Sequence, residues 1–292
     1  VRQIAKALGR SPSTISRELH RNPGPYRATS AQKAYCSRRK HCVRRKILSN
    51  KELHKEIHFL LGYLWWSPEQ ISNRLREEGT AKISASTIYR ALENGVLQDT
   101  LRYYLRIKYR KLGKNKEPNK QCFQKTISLR SEAAARRSEP GHWEGDTVRG
   151  NCETDCLVTL VDRYSRILLC EKVPNKESGT VQRAVIRLLK RSKLPVRSIT
   201  FDQGTEFAGG GEMEKALTTD VYYAHPRSPW ERPSNENTNG LIRQFVPKRS
   251  KVSSLTEDDV HRFVAALNFR PRKCLGWKTP FEVAFDEVLH LT

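Results

Sequence analysis

Asp155-Cys-Leu-Val-Thr-Leu-Val-Asp162 is an apolar run bounded by acids, and the polar turn Arg-Tyr-Ser separates it from a second run, Arg166-Ile-Leu-Leu-Cys170. Short apolar runs flanked by turn residues are typical of buried strands. A strand ending at Asp146-Thr-Val precedes them. We therefore predict three successive strands joined as antiparallel hairpins.

The pattern after these strands alternates between helix and strand. Residues 178–190 have helical periodicity, and residues 196–201 form a strand that ends on Asp202. A glycine-rich turn and a helix lead to a short strand at 221–224, after which Ser234 is expected to cap a helix containing Glu236. The order βββαβαβα predicts an α/β domain over residues 141–292, with a mixed five-stranded sheet and helices on both sides.

Composition limits the class of protein. The chain has 292 residues, 37% of them hydrophobic, which is enough for at least one core and for two or three domains. Its apolar runs are shorter than a membrane-spanning helix, so we expect a cytoplasmic protein with no membrane segment and no export signal. Its only methionine is Met213, and the chain is expected to be incomplete at its N-terminus.

The seven cysteines do not repeat a two-plus-two metal pattern. A zinc site formed by Cys36, His41 and Cys42 is one reading. Free thiols in a reducing compartment are the reading we favour.

Positive charge is concentrated in the first half of the chain, whose overall net charge is +23. Residues 1–140 carry 31 Lys and Arg against 11 Asp and Glu, whereas residues 141–292 carry 23 against 20. Such a surplus predicts many phosphate contacts and salt-dependent DNA binding. A purely basic structural protein would not leave its second half nearly balanced.

The start of the chain is typical of a helix-turn-helix, and with the basic segment after it forms a predicted domain over residues 1–50. Ile4 and Leu8 share one helical face, Gly9 ends that helix, and Ser11-Pro12 begins a second helix whose inward residues are Ile15 and Leu19. The outward residues that we expect in a DNA groove are Ser13, Ser16, Arg17, His20 and Arg21.

Further candidate DNA contacts follow in two segments. The basic run includes Arg38, Arg39, Lys40, Arg44, Arg45 and Lys46, although it could also be a solvated helix face. Residues 51–100 predict a second helix-turn-helix-like domain, with a capping box at Ser67–Gln70 and with Thr87 and Arg90 on its exposed edge. A purely structural bundle is the alternative. Residues 101–140 lose clear periodicity and are expected to be a basic linker.

Three acids carry the predicted chemistry. Asp146, Asp202 and Glu236 are far apart in sequence, with 33 residues between the last two, so they can meet only through the fold. Carboxylates are the ligands that Mg²⁺ prefers. In a strongly basic chain, acids gathered at one point indicate metal-dependent phosphoryl transfer on DNA.

The motifs around these acids resemble those of the IS-thirty family of bacterial insertion-sequence transposases. The segments are Pro140-Gly-His-Trp-Glu-Gly-Asp146, Thr200-Phe-Asp-Gln-Gly-Thr-Glu-Phe207, Ser228-Pro-Trp-Glu-Arg-Pro-Ser-Asn-Glu-Asn-Thr-Asn-Gly-Leu-Ile-Arg-Gln244 and Arg270-Pro-Arg-Lys-Cys-Leu-Gly-Trp-Lys-Thr-Pro280. With the first helix-turn-helix, the resemblance covers essentially the whole chain. It implies a ribonuclease-H-like catalytic domain of the DDE transposase and integrase type.

The resemblance also implies a mechanism. Asp146, Asp202 and Glu236 would bind two Mg²⁺ or Mn²⁺ ions, cut the transposon ends and transfer the freed 3′-hydroxyl to target DNA. The implied partners are double-stranded DNA, as terminal inverted repeats and target, and further copies of the chain in a homo-oligomer.

Several neighbours of the acids are candidates for supporting roles. Arg243 lies two helical turns after Glu236, where it could hold DNA phosphate or be an ordinary surface residue. Glu144 and Asn239 are expected to support the metal ligands, and Glu206 is a further nearby acid. The family pattern usually has Gly at 233, Asn at 203 and Asn at 269, where this chain has Pro233, Gln203 and Phe269. Pro233 fixes the backbone φ angle just before the helix of Glu236, so we expect it to misplace Glu236 if that loop must flex.

Two other functions remain open from the sequence. One is a catalytically silent DNA-binding regulator derived from a transposase. The other is a metal-dependent nuclease that cuts DNA without joining it.

Overall fold

The computed structural model describes residues 1–21, 24–41, 47–97, 125–151, 154–226 and 228–286. The residues up to Lys51 form one compact unit, and those from Glu52 onward form a second. The described helices are α1 (Arg2–Ala7), α2 (Pro12–Leu19), α3 (Ala28–His41), α4 (Lys51–Gly62), α5 (Pro68–Glu77), α6 (Ala85–Glu93), α7 (Glu132–Arg136), α8 (Ser178–Ser192), α9 (Gly210–Leu217), α10 (Pro233–Ile242), α11 (Glu257–Asn268) and α12 (Pro280–Phe285). The strands are β1 (His142–Arg149), β2 (Cys156–Asp162), β3 (Leu168–Val173), β4 (Ser198–Phe201) and β5 (Asp220–Tyr223).

The first unit has the predicted helix pair but very little core. Ser11 caps α2 by accepting a hydrogen bond from the Thr14 N–H at 3.2 Å. Among the described side chains of this unit, Ala5 and Ala31 are the buried apolar ones. Ile4 and Leu8 are 46% and 63% exposed. The apolar face predicted on α1 is therefore present but uncovered.

The second helix pair, α5 and α6, has the predicted capping box and a real core. Ser67 and Gln70 form the capping box that begins α5, and Ser84 caps α6. Ile71, Leu75 and Ile88 are fully buried. This pair belongs to the same compact unit as the sheet.

Polar contacts join α5 to the C-terminal part of the second unit. The buried guanidinium of Arg74 donates to both carboxylate oxygens of Glu282 on α12, at 2.6 and 3.0 Å. The Gln70 side chain donates to the carbonyl oxygen of Pro271 at 2.8 Å. These bonds fix α5 to the region that follows α11.

The sheet has the strand order β3-β2-β1-β4-β5. The hairpins β1-β2 and β2-β3 are antiparallel, while β4 pairs with β1 and β5 pairs with β4 in parallel. This confirms the predicted mixed five-stranded sheet. It also places β1 at the centre, between an antiparallel and a parallel neighbour.

Helices cover both faces of the sheet. On one face, Trp143, Leu160 and Phe201 pack with Val181 and Val185 of α8. On the other face, Val148 of β1 joins a second core that includes Leu241 and Ile242 of α10 and Phe263 of α11. Because side chains alternate along a strand, the residues of β1 that share a face with Val148 point towards α10.

Three boundaries differ from the sequence-based expectation. β1 continues past Asp146 to Arg149, because it pairs with β2 along that whole length. Residues 125–140 fall within the predicted linker, yet the Tyr223 N–H of β5 donates to the Lys125 carbonyl oxygen at 2.9 Å, so this segment packs on the sheet. α10 begins at Pro233 rather than after a Ser234 cap. A proline at the first helical position gives up no hydrogen bond, so Pro233 suits the start of this helix.

The described helices include none that is both long and apolar enough to cross a membrane. Cys36, Cys156, Cys170 and Cys274 are free thiols. Cys42 and the side chain of His41 lie outside the described residues, so the zinc reading at Cys36 is not addressed by the structure.

Candidate active site

Asp146 lies on the central strand and faces α10. Its Oδ1 accepts a hydrogen bond from the Thr147 N–H at 2.7 Å, and its Oδ2 accepts one from the side-chain amide of Asn239 on α10 at 2.9 Å. Gly145 precedes it, and a Cβ at that glycine would lie 2.2 Å from the Phe201 ring of the neighbouring strand. The close approach of β4 to β1 thus requires glycine beside the acid.

Asp202 follows β4 directly and lies close to Asp146. The parallel register pairs Trp143 with Ile199 and Glu144 with Thr200. Asp146 and Asp202 each stand two residues beyond the last of these pairs. Parallel neighbours carry their side chains to the same edge of a sheet, which brings the two acids together.

Arg232, just before α10, contacts both aspartates. Its Nη2 donates to Asp202 Oδ2 at 3.1 Å, and its Nη1 lies 3.8 Å from Asp146 Oδ2. The same Nη1 donates to the Gly145 carbonyl oxygen at 2.9 Å. The Arg232 side chain is 12% exposed, so a largely buried cation spans the two acids.

The Glu236 side chain is exposed on α10. It stands one helical turn before Asn239, whose amide holds Asp146, so the two residues share a face of the helix. In the part of the chain that the structure describes, no three His, Cys, Asp or Glu side chains are grouped closely enough to hold a metal ion. The structure thus joins Asp146 and Asp202 through Arg232 and places Glu236 on the adjacent helix.

Glu144 anchors the helix that carries Glu236. This fully buried carboxylate accepts a hydrogen bond from Arg163 and another, at 2.8 Å, from the Asn235 N–H in the first turn of α10. The Asn235 side chain in turn donates to the Glu144 carbonyl oxygen at 3.2 Å. An acid is favourable at a helix N-terminus, where N–H groups lack partners within the helix. Glu144 therefore fixes α10 against β1.

The electrostatics of the site favour a bound cation. Burial raises the pKa of the Asp146 carboxyl to about 6, Arg232 opposes this rise, and the Asp202 carboxylate adds to it. Glu206 is a third acid nearby; it is 4% exposed, accepts a hydrogen bond from Thr147 at 3.1 Å and pairs with Lys176. Desolvated acids that repel one another bind positive charge strongly.

Arg243, the predicted phosphate contact, lies at the C-terminal end of α10. Its guanidinium donates to the Arg149 carbonyl oxygen at 2.9 Å. Burial lowers its pKa, and the Asp146 carboxylate opposes that shift. The side chain is half-buried and interacts electrostatically with Asp146, so it does not lie free on the surface.

The predicted DNA-contact residues of the helical regions are mostly exposed. Exposed side chains are those of Ser13, Arg17, His20, Arg21, Arg38, Arg39 and Arg90, while Ser16 and Thr87 are half-buried. The side chain of Lys40 and the whole of Arg44, Arg45 and Lys46 lie outside the described residues. Their exposure suits a surface that contacts DNA.

Sequence reasoning missed Arg232. Its partners lie 30 and 86 positions away, and an arginine before a helix has many ordinary roles. The available signal was its place in Trp-Glu-Arg-Pro-Ser-Asn-Glu, four residues before the third acid.

Comparison with known proteins identifies the family. Residues 1–22 match a helix-turn-helix domain and residues 136–229 match an integrase core domain. The transposase InsI for insertion sequence element IS30A of Escherichia coli strain K12 is 36% identical over 304 residues, covering 97% of this chain and 78% of that protein. The chain belongs to the IS30 family of insertion-sequence transposases.

A second relative of this IS30-family chain is similar over a larger share of its own length. The transposase for insertion sequence element IS4351 of Bacteroides fragilis is 36% identical over 296 residues, which is 98% of this chain and 90% of that protein. Among solved structures, the catalytic core domain of BIV integrase is 17% identical and covers 50% of this chain and 93% of its own, with a TM-score of 0.39. The integrase core match includes Asp146 and Asp202 and ends before Glu236.

Proposed function

We propose that this chain is a DNA transposase that cuts the ends of its insertion sequence and joins them to target DNA. The observation that carries the proposal is the pair Asp146 and Asp202, set at adjacent parallel strands and spanned by one cation. Membership of a transposase family supports the substrate class. The site of action would be the bacterial cytoplasm, where that DNA lies.

The donor set suits divalent metal ions. Asp146 and Asp202 offer oxygen ligands in a partly desolvated site, and Glu236 is one helical turn from the residue that holds Asp146. In the proposal these three residues hold two Mg²⁺ or Mn²⁺ ions. Such ions activate an attacking water or 3′-hydroxyl and stabilise the leaving oxygen of a phosphodiester.

Other residues would position rather than react. Asn239 orients Asp146, while Glu144 fixes α10 and with it the backbone that carries Glu236. Arg243 borders Asp146 and would hold a DNA phosphate beside the site. The chain would remain free of any covalent protein–DNA intermediate, because water and the DNA 3′-hydroxyl are the nucleophiles.

The helical regions would bind DNA. We propose residues 1–50 and 51–100 as two DNA-binding domains and 141–292 as the catalytic domain, with 101–140 as the basic segment between them. Two transposon ends must be held together for joining, so we also propose a homo-oligomer on DNA.

A strand-transfer assay tests the proposal. The full chain is incubated with Mg²⁺, target plasmid and a labelled duplex carrying the terminal repeat of its own element. We expect nicking at the 3′ end followed by joining. Asp146→Asn, Asp202→Asn and Glu236→Gln should each lower product by about a thousandfold or more, since each removes ligand charge that supports several kcal/mol of transition-state stabilisation.

A matched control separates site chemistry from general charge effects. Glu132→Gln removes an acid that is exposed on α7 and should leave the yield unchanged. Products cut but never joined would instead indicate the nuclease, and binding without any product would indicate the regulator. Activity that survives all three site substitutions would contradict the proposal.

A further inference from the structure

Arg232 is the cation that contacts both Asp146 and Asp202, the two acids of the proposed metal site. A guanidinium is a permanent cation, so Arg232 offsets part of the negative charge of the two carboxylates. It approaches Asp202 Oδ2 at 3.1 Å and Asp146 Oδ2 at 3.8 Å. The oxygen atoms it faces belong to the two carboxylates that would bind a divalent ion.

Geometry makes the two cations exclusive at these oxygen atoms. Mg²⁺ binds carboxylate oxygen at about 2.0–2.1 Å and takes an octahedral shell of ligands. A guanidinium nitrogen that remained 3.1 Å from Asp202 Oδ2 would face such an ion at close range in a site that is only partly exposed to solvent. Like charges at that separation repel, so one of them must leave.

Arg232 is able to leave because its anchoring is incomplete. Its Nη1 is held by the Gly145 carbonyl oxygen at 2.9 Å, but its buried Nε has no hydrogen-bond partner. Arg232 is the residue just before α10, and its side chain makes no capping hydrogen bond to that helix. By contrast, Glu144, Asn235 and Asn239 hold α10 itself through three hydrogen bonds. The side chain can therefore move while the helix stays in place.

We propose that Arg232 competes with divalent metal ions for Asp146 and Asp202 and thereby sets the metal affinity of the site. The inference rests on the proposed metal-binding function of the two aspartates. It adds that loading the site requires the guanidinium to withdraw. The competition makes the affinity of the wild-type protein for metal lower than that of the two aspartates alone.

Mn²⁺ binding to the full chain without DNA tests this inference directly. Free Mn²⁺ is measured by electron paramagnetic resonance during titration, so the readout does not depend on catalysis. Arg232→Gln should bind Mn²⁺ about tenfold more tightly, which is the scale of one partly screened charge interaction. Arg187→Gln is the matched control, because it also removes one arginine that pairs with an acid, Glu171, but on the surface away from the site. Its affinity should equal that of the wild type.

Further variants keep the outcomes distinguishable. If Arg232→Gln does not unfold cooperatively on heating, Arg232→Lys carries the test, since an ammonium group lacks the fork that reaches Asp202 and the Gly145 carbonyl oxygen together. It should bind Mn²⁺ severalfold more tightly than the wild type. Equal or weaker binding by the folded Arg232 variant overturns the competition. Should Asp202→Asn fail to weaken Mn²⁺ binding, or no variant bind at all, the proposed metal site itself is wrong.

Discussion

The two helix pairs, α1–α2 and α5–α6, have similar sequence signals and different cores. In both, a serine followed by a proline begins a helix, and apolar residues recur at helical spacing. Ile4 and Leu8 of the first pair remain exposed, whereas Ile71 and Leu75 of the second are fully buried. Local signals thus specify the motif, but the elements packed against it decide how much stability it contributes.

The difference also bears on function. The second pair belongs to the same unit as the sheet, and the Arg74–Glu282 pair joins its helix α5 to α12. DNA held by α6 would therefore keep a fixed position relative to the sheet. The first pair has few buried side chains and would gain much of its order from what it binds. Three comparisons, each between variants of the two units, can break or sharpen this contrast.

The largest effect is expected from Arg74→Ala. Removal of the guanidinium takes the cation away from the buried Glu282 carboxylate, and the loss of one partner of a buried ion pair typically costs about 3–5 kcal/mol. Urea unfolding followed by far-ultraviolet circular dichroism, which reports the helices of both units, measures the free energy of unfolding. Arg21→Ala is the control in the first unit, because its exposed pair with Glu18 should contribute about 0–1 kcal/mol. Equal costs for the two variants would remove the contrast.

A similar comparison applies to the apolar faces. Leu75→Ala empties a fully buried site and should lower the free energy of unfolding by about 2–5 kcal/mol. Leu8→Ala changes a side chain that is 63% exposed and should shift the free energy of unfolding by about 0.5 kcal/mol or less. Both are measured by the same urea titration. A large cost at Leu8 would mean that another element covers α1 in solution.

The smallest effect is expected on DNA binding. Arg17→Ala in α2 and Arg90→Ala in α6 should each reduce the salt dependence of binding to the element's end by about 0.9 in the slope of log K against log [salt], as for one lost phosphate contact. Fluorescence anisotropy at several salt concentrations gives the slope. Glu93→Gln at the end of α6 removes no positive charge and should not reduce it. An unchanged slope for Arg90→Ala alone would make the second pair purely structural.

Much of the fold could be predicted from the sequence because its signals are local. The run at 156–161 is apolar except for Thr159, as expected of a strand whose two faces are both buried, and the observed β2 and β3 follow that pattern. A capping box, or a proline at the first position of a helix, likewise depends only on neighbouring residues. The mixed sheet followed from the order of these elements.

The parts that could not be predicted depend on distant contacts. The docking of residues 125–140 relies on a hydrogen bond from Tyr223, almost a hundred positions away. The exposure of Ile4 and Leu8 depends on which elements pack beside α1, and the sequence of the helix alone does not specify those contacts. Arg232 has its role only because β1, β4 and α10 converge. The roles of Asp146, Asp202 and Glu236 as metal ligands remain predictions.

Gly145 should tolerate few substitutions during evolution, although it has no side chain. Even alanine at this position would push its Cβ to 2.2 Å from the Phe201 ring, and the strain would pass to the acids on either side. In a map of tolerated substitutions, we expect this residue without a functional group to be as restricted as Asp146 itself. A replacement could persist only alongside a smaller side chain at 201, so the two positions should change together or not at all.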